Sequence, residues 1–182
     1  QSGRRQRQMC IRDRSKGNKF TYTGKDLPFA SKIQILNKYK SYLMFKKNFW
    51  IKKDDVKPIN HKIKNFIYIV NLFRNVKYKW GGKTFKGIDC SGLVQIIYNY
   101  NNKFFPRDTV DQIKFKKGLK SKKKFKKGDI VFWKGHVGIC INSKKLIHAY
   151  GPRKKVLIMP INQTIKLIEK TAGLKVKKIF SI

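Results

Sequence analysis

One face of a helix is visible in the spacing of apolar positions after residue 89. Apolar side chains recur at i, i+3, i+4, i+7 and i+8, a spacing typical of an amphipathic helix. They are Cys90, Leu93, Val94, Ile97 and Tyr98. Asp89 directly precedes this face and is a favourable N-cap residue. The pattern therefore predicts a helix that begins at Cys90.

A dense β region follows Gly128. Short runs rich in β-branched and aromatic residues occupy positions 130–133, 136–141, 145–149 and 156–159. Turn residues such as Lys134-Gly135 and Asn142-Ser143 separate the runs, as consecutive antiparallel hairpins require. The pattern weakens after Pro160, where we expect a terminal helix around 165–168 and a short strand within 176–182.

The chain before this region divides into two parts. Short β-type runs between positions 20 and 59 are broken by clusters of Gly, Pro, Asn and Lys, which is typical of a small barrel or meander. About forty residues are marginal for an independent core, so the module is predicted to be partial. A helix face follows within 63–73, made by Ile63, Phe66, Ile67, Val70 and Phe73.

The first fourteen residues differ from the rest of the chain. They contain five of its eight arginines, whereas every lysine lies after position 15. We expect residues 1–14 to be a tag, a linker or a sequencing remnant, and we leave them, with Cys10, out of the predicted fold. Because the chain begins at Gln1, we also expect a processed or truncated N-terminus.

The formal net charge of +36 suggests a polyanionic partner. The lysines, however, are spread along the chain, and the densest run, 122–127, surrounds a single Phe125. No arginine-rich helix, zinc-ligand spacing or aromatic sheet signature accompanies them, so dedicated nucleic-acid binding is not expected. No apolar run reaches about 18 residues, so no transmembrane helix is predicted.

The candidate chemistry combines Cys90 with two histidines. A cysteine in the first turn of a helix lies where backbone N–H groups and the helix dipole favour a thiolate nucleophile. His136 begins one predicted strand and His148 closes the next, so a hairpin brings the imidazoles together as base and orienting group. The alternative is a buried cysteine with two structural histidines at strand ends.

No metal or cofactor is expected, and the odd count of three cysteines argues against a disulfide framework. Cys140, within an apolar run, is predicted to be a buried thiol.

At this point the sequence resembles a known family, the NlpC/P60 cysteine peptidases. Six blocks between about residues 62 and 160 follow the family's order. They are Tyr78-x-Trp80-Gly81-Gly82, Gly87-x-Asp89-Cys90-Ser91-Gly92-Leu93-Val94-Gln95, Pro106-Arg107-Asp108, Gly128-Asp129-Ile130-Val131-Phe132, Gly135-His136-Val137-Gly138-Ile139 and His148-Ala149. The resemblance is greatest to the branch with N-terminal SH3b modules, the γ-D-glutamyl-diaminopimelate endopeptidases.

The resemblance implies an α+β, papain-like fold in which a helix bearing the nucleophile packs on an antiparallel sheet. It implies that 62–182 is the catalytic domain and that 20–60 is a partial, truncated SH3b-like module. Cys90 matches the nucleophile, His136 the base and His148 the third polar residue of the family.

Four further residues match substrate or oxyanion positions of the family. Tyr78 matches a tyrosine of the oxyanion environment, and Asp89 and Ser91 match positions that shape the substrate groove. Asp108 matches an aspartate that recognises the free amino end of a stem peptide. Structural alternatives remain, because Tyr78 can pack on Trp80 while Asp89 and Asp108 can cap helices.

The resemblance thus implies a cysteine peptidase that cuts peptidoglycan stem peptides at the γ-D-glutamyl-diamino acid bond through a thioester, without a cofactor. Two alternatives stay open: an amidase or acyltransferase acting on another cell-wall amide, and an inactive basic module that binds the cell wall. The expected partner is a stem peptide or muropeptide. The third residue of the peptide, the oligomeric state and the compartment, bacterial cytoplasm or cell envelope, are left open.

Overall fold

The computed structural model of the chain describes residues 9–14 and 19–182. The chain divides into two units, Gln1–Lys62 and Ile63–Ile182. Their assignment as a partial SH3b-like module and a catalytic domain stays a prediction.

The first unit is built on one five-stranded antiparallel sheet with the strand order β2-β1-β5-β4-β3. The strands are β1 Met9–Arg14, β2 Phe20–Leu27, β3 Asn37–Tyr39, β4 Tyr42–Lys46 and β5 Phe49–Lys52. Trp50 and Ile51 are buried in its core, and Phe20 stacks on Tyr42 with ring centroids 3.8 Å apart. A small β unit is therefore present, as the broken β-type runs predict.

The prediction that residues 1–14 lie outside the fold is wrong for Met9–Arg14. This segment pairs antiparallel with β2 and meets β5 at Arg12↔Trp50. Ile11 is buried, and Cys10 is half-buried. Backbone pairing needs few particular side chains, so an extended segment can add a strand whatever its composition. The foreign origin of the segment stays a prediction, and residues 1–8 lie outside the described residues.

The second unit contains an antiparallel sheet with the order β11-β10-β9-β8-β12. Its strands are β8 Asp129–Trp133, β9 His136–Cys140, β10 Lys145–Tyr150, β11 Lys155–Pro160 and β12 Lys178–Ser181; a small pair, β6 Lys83–Thr84 and β7 Gly87–Ile88, precedes them. The predicted succession of antiparallel neighbours from β8 to β11 is confirmed. The terminal strand is also confirmed, and it returns to pair with β8 at Ile179↔Val131.

Four helices belong to the second unit. They are α1 Ile67–Leu72, α2 Cys90–Tyr100, α3 Thr109–Gln112 and α4 Ile161–Ala172. The first is shorter than its apolar pattern, because the Ile63 N–H donates to the Asn101 side chain and so belongs to a connecting segment. The last is longer than predicted and ends at Ala172. Gly173 follows it with a φ of 64° and an N–H bond to the Glu169 carbonyl oxygen, which are typical of a helix C-cap.

The sheet of the second unit has helices packed against it. α2 packs on β9 and β10 through fully buried side chains such as Leu93 and Val94. A second apolar cluster joins α4 to the sheet, and it includes Val131, Cys140 and Ile168. The predicted helix bearing Cys90 on an antiparallel sheet is therefore confirmed, as is the buried position of Cys140. No helix within the described residues has the length and apolarity needed to cross a membrane.

Candidate active site

A glycine-rich loop closes on the start of α2. A Cβ added to Gly92, in the first turn, would lie 2.7 Å from the carbonyl oxygen of Gly82, and one added to Gly82 would lie 2.5 Å from that of Gly87. Real Cβ atoms do not approach this closely, so glycine is required at both positions for the loop backbone to contact the helix. The loop thereby lies directly against the helix turn that carries Cys90.

Asp89 caps α2 as predicted, and its carboxylate is fully engaged. Oδ1 accepts from the Gly92 N–H at 2.7 Å and from the Ser91 hydroxyl at 3.3 Å. Oδ2 accepts from the Gly81 N–H at 2.8 Å and forms an ion pair with Arg107. One buried carboxylate therefore joins the helix start, the glycine loop and the segment that carries Arg107.

This network bears on the predicted roles of Asp89 and Ser91. Both side chains are buried, and the Ser91 hydroxyl accepts a 2.7 Å bond from Arg107. The geometry supports the capping alternative for Asp89, and a role of either residue in shaping the substrate groove stays a prediction. The residue pattern did not single out Arg107, although it is one of only three arginines after position 14 in a lysine-rich chain. A rare arginine among many lysines could have indicated a position where the planar, forked guanidinium is needed and a lysine would not serve.

Cys90 is the first residue of α2 and is 5% exposed. Burial raises the pKa of its thiol to about 11, and backbone N–H groups, that of Val137 first among them, act in the opposite direction. Burial therefore disfavours the expected thiolate in the free protein, because the loss of hydration opposes the stabilisation by the helix start. The role of Cys90 as an activated nucleophile stays a prediction. The N–H of Val137 is close enough to the sulfur to lower the pKa of the thiol, which places Cys90 near the strand that begins with His136.

The two histidines lie side by side, as the hairpin predicts. Nε2 of His136 is 2.9 Å from Nδ1 of His148, and the His148 side chain is fully buried. A Cβ added to Gly138 would lie 3.3 Å from the Cβ of His148, so the glycine leaves room for this imidazole. The rings of Trp133 and Tyr150 flank the pair, 5.6 Å from His136 and 5.0 Å from His148 respectively.

Burial favours the neutral form of both imidazoles. It lowers the pKa of His136 to about 4. Burial, followed by the nearby charge of His136, lowers the pKa of His148 to about 3. The direction of all three pKa shifts therefore favours a neutral thiol and neutral rings over a thiolate–imidazolium pair at rest.

His148 has a second neighbour that the residue pattern did not identify. Its Nε2 lies 3.5 Å from Sδ of Met159, a half-buried residue of β11. The imidazole is therefore held at both nitrogens. No motif signals such a contact, because Met159 is brought to His148 only by the pairing of β10 with β11.

Tyr78 lies near the candidate nucleophile. Its ring faces Gly151, where an added Cβ would be 3.5 Å from the ring, and its N–H donates to Lys154 at 2.9 Å. Burial raises the pKa of the Tyr78 hydroxyl, and the charge of Cys90 adds to the effect. Trp80 is 81% exposed, so the structure favours Gly151 over Trp80 as the packing partner of Tyr78. The oxyanion role of Tyr78 stays a prediction.

Asp108 precedes α3 and is exposed, and its carboxylate makes no capping hydrogen bond. The Asp108 side chain therefore does not cap α3, and its predicted recognition of a free amine stays a prediction.

Gln112, at the end of α3, is a further residue that the pattern did not mark. Its buried Nε2 donates to the carbonyl oxygens of Ser91 and Pro106, both at 2.9 Å. It thereby fixes α3 to the first turn of α2.

Neither the site nor its surroundings has the composition of a metal centre. Within residues 9–14 and 19–182, no group of three or more His, Cys, Asp or Glu side chains is placed to hold a metal ion.

Comparison with protein families matches residues 75–171, more than half of the chain, to a model described as "NlpC/P60 family". A γ-D-glutamyl-L-lysine dipeptidyl-peptidase of Bacillus subtilis (strain 168) is 29% identical over 154 residues, which cover 77% of this chain and 52% of that protein. A protein of Escherichia coli (strain K12), named murein DD-endopeptidase MepS/murein LD-carboxypeptidase, is 34% identical over 97 residues, half of each chain. The chain thus spans about half the length of these relatives.

Solved structures agree with the fold. An NlpC/P60 family protein from Bacillus cereus ATCC 10987 superposes with a TM-score of 0.74 at 22% identity, covering 96% of this chain and 60% of that chain. NlpC2 from Trichomonas vaginalis gives a TM-score of 0.56 at 20% identity, covering 96% and 69%. The matched relatives are named endopeptidases and dipeptidyl-peptidases, and the cysteine-peptidase activity of this chain stays a prediction.

Proposed function

Because the chain belongs to the NlpC/P60 family, we propose that it is a cysteine peptidase that hydrolyses peptidoglycan stem peptides at the γ-D-glutamyl-diamino acid bond. One observation carries the catalytic part of the proposal. The N–H of Val137 lowers the pKa of the Cys90 thiol and so lies near its sulfur. His136, the residue before Val137, is hydrogen-bonded to His148 at 2.9 Å. Nucleophile, base and orienting group thus belong to one contiguous cluster.

The neutral resting state determines how the first step proceeds. Nε2 of His136 is engaged by His148, so Nδ1 is the nitrogen that takes the thiol proton from Cys90. Proton transfer accompanies attack, because burial disfavours a thiolate formed in advance. The sulfur then bonds to the carbonyl carbon, whose oxygen takes up the negative charge.

Hydrogen-bond donors near Cys90 are suited to that oxyanion. The first turn of α2 supplies the backbone N–H of Cys90, at the helix end whose N–H groups have no partner within the helix, and Tyr78 supplies a hydroxyl whose raised pKa keeps it protonated. Removing one such donor typically costs about 10²-fold to 10³-fold in kcat. We assign the oxyanion environment to the Cys90 N–H and the Tyr78 hydroxyl.

Collapse of the adduct breaks the C–N bond, and His136 returns the proton to the departing amine. The acyl group is then held on Cys90 as a thioester. A water molecule gives its proton to His136 and attacks the same carbon, after which the acid leaves and the thiol is restored. His136 thus serves first as base and then as acid in each half of the reaction.

The substrate class is inferred from the relatives and from charge. The names of the B. subtilis and E. coli proteins refer to γ-D-glutamyl-L-lysine and to murein. A net charge of +36 suits an anionic wall fragment, with attraction that weakens as salt rises. The exposed Asp108, whose carboxylate makes no capping bond, is available to a free amine.

We also assign the first unit to the SH3b-like class, on the basis of its five-stranded antiparallel sheet.

A panel of purified muropeptides tests the function, with each product identified by mass spectrometry. We expect cleavage at the γ-D-glutamyl-diamino acid bond and loss of cleavage in Cys90→Ala, with the melting temperature retained. Cys140→Ala makes the same change at the other cysteine of this unit and should keep activity.

Three results would count against the proposal. Cleavage between sugar and peptide would indicate the amidase alternative, and retention of activity in Cys90→Ala would remove the assigned nucleophile. Wall binding without cleavage of any muropeptide would indicate the basic binding module.

A further inference from the structure

The hydrogen bonds of His148 define a chain of proton positions. Its Nδ1 faces Nε2 of His136 at 2.9 Å, and its Nε2 faces Sδ of Met159 at 3.5 Å. A thioether sulfur has no proton to donate and can act only as a weak acceptor. A hydrogen bond at the second contact therefore requires that Nε2 of His148 carry the proton.

The position of that proton determines the other nitrogens. A neutral imidazole has a single N–H, so His148 protonated at Nε2 presents a lone pair at Nδ1. Nε2 of His136 then has to donate across the 2.9 Å contact, and Nδ1 of His136 is left unprotonated. The opposite arrangement places two lone pairs against each other at Met159 and puts the His136 proton on Nδ1.

Only one of these two arrangements is productive for the proposed reaction. With Nδ1 of His136 unprotonated, the imidazole can accept the proton of Cys90. With a proton already on Nδ1, it cannot, because Nε2 is occupied by the bond to His148. The wrong tautomer of a catalytic histidine can be costly even where the geometry of the site is intact.

We propose, on the basis of the peptidase function above, that Met159 is a positioning residue that selects the productive tautomer. Its sulfur accepts the Nε2–H of His148 and so keeps Nδ1 of His136 available to the thiol of Cys90. Three strands contribute: β11 holds Met159, β10 holds His148, and β9 holds His136. The pairing of β11 with β10 brings the sulfur to the imidazole.

Burial makes this weak contact effective. His148 is fully buried, so its ring is shielded from the bulk water that would otherwise offer an alternative acceptor. Within the described part of the chain, Met159 is the hydrogen-bond partner of its Nε2. The depressed pKa values of His136 and His148 keep both rings neutral, which is the condition under which a tautomer choice exists.

The test replaces the sulfur while keeping the volume. Met159→Leu removes the acceptor with little change in size, and Met159→Gln restores an acceptor on an unbranched side chain of similar length. Met44→Leu makes the same substitution at a half-buried strand position of the first unit and is the matched control. ¹⁵N NMR of the histidine rings, recorded without substrate, shows which nitrogen of each ring carries the proton.

We expect His148 to be protonated at Nε2 in the unsubstituted protein and in Met159→Gln. In Met159→Leu we expect a second population protonated at Nδ1 and a fall in kcat of about tenfold, the size of one modest hydrogen bond, with KM unchanged. Met44→Leu should change neither the spectrum nor kcat.

Either of two results would overturn the inference. One is a His148 proton on Nδ1 in the unsubstituted protein, and the other is an unchanged spectrum and kcat in Met159→Leu. The NMR measurement needs no turnover, so it tests the contact between Met159 and His148 even if no muropeptide is cleaved. A lack of cleavage would count against the peptidase function alone.

Discussion

The carboxylate of Asp89 and the guanidinium of Arg107 form an ion pair at the first turn of α2. The same guanidinium donates to the Ser91 hydroxyl at 2.7 Å, and the Asp89 carboxylate also accepts the Gly81 and Gly92 N–H groups. Arg107 therefore holds the cap of the helix whose first residue is the proposed nucleophile.

Arg107→Leu should lower the free energy of unfolding by about 3 kcal/mol, because it leaves the buried Asp89 carboxylate without its counter-charge. Arg107→Lys restores the charge but not the forked donor, so we expect a smaller loss. Urea unfolding followed by circular dichroism measures both. Arg74→Leu changes an exposed arginine and should stay within about 0.5 kcal/mol. Equal stability of Arg107→Leu and Arg74→Leu would show that the ion pair contributes nothing.

The two imidazoles should differ in their contribution to rate. His136→Ala should reduce kcat/KM by about 10⁴-fold, because proton transfer to and from the substrate is lost. His148→Ala should reduce it by only about 10²-fold, since orientation is the smaller contribution, and His148→Asn, which retains a polar group, should fall between His148→Ala and the unsubstituted protein. Initial rates on one muropeptide give the ratios. A greater loss in His148→Ala than in His136→Ala would exchange the assigned roles.

Acid should destabilise the protein over a definite range. Both imidazoles have a folded-state pKa below their ordinary value of 6.5, about 4 for His136 and about 3 for His148. The unfolded chain therefore binds more protons than the folded protein below pH 6.5, and stability is lost as pH falls from 6.5 towards 3. Melting temperatures across this range should fall less steeply in His148→Asn.

His61→Asn provides the control for that measurement, because it replaces an exposed histidine of the first unit, outside the candidate site. The pH dependence of His148→Asn is compared with that of this control variant. If the melting temperature of His148→Asn falls with pH as steeply as that of the control, burial of this imidazole is not the source of the loss of stability in acid.

Alkylation should report the neutral thiol of Cys90. Because burial raises its pKa to about 11, the rate with iodoacetamide should keep rising with pH from 7 to about 11. Cys140, with a pKa raised to about 12 and a fully buried side chain, should label more slowly throughout. Site-resolved mass spectrometry separates the two. A rate for Cys90 that is already maximal near pH 7 would indicate a thiolate at rest and contradict the neutral cluster.

Local patterns accounted for most elements of the second unit. The start of α2, the antiparallel strands after Gly128 and the side-by-side histidines follow from spacings within a few residues, where helix period, capping and turn chemistry are decided. The short α1 was less predictable, because a side-chain bond from Asn101 takes up the backbone of Ile63. The strand at Met9–Arg14 was missed because composition, rather than its capacity to pair, was used to exclude it.

The sequence by itself determined which groups are present and where along the chain each one lies: a capped cysteine at a helix start, two histidines one hairpin apart, and the family to which these blocks belong. Tertiary structure alone decided their state. Arg107 reached Asp89, Met159 reached His148, and burial shifted the pKa values of the thiol and of both imidazoles towards their neutral forms. The reason is physical, because desolvation and hydrogen-bond partners depend on neighbours that are distant in sequence and meet only when the sheet is assembled.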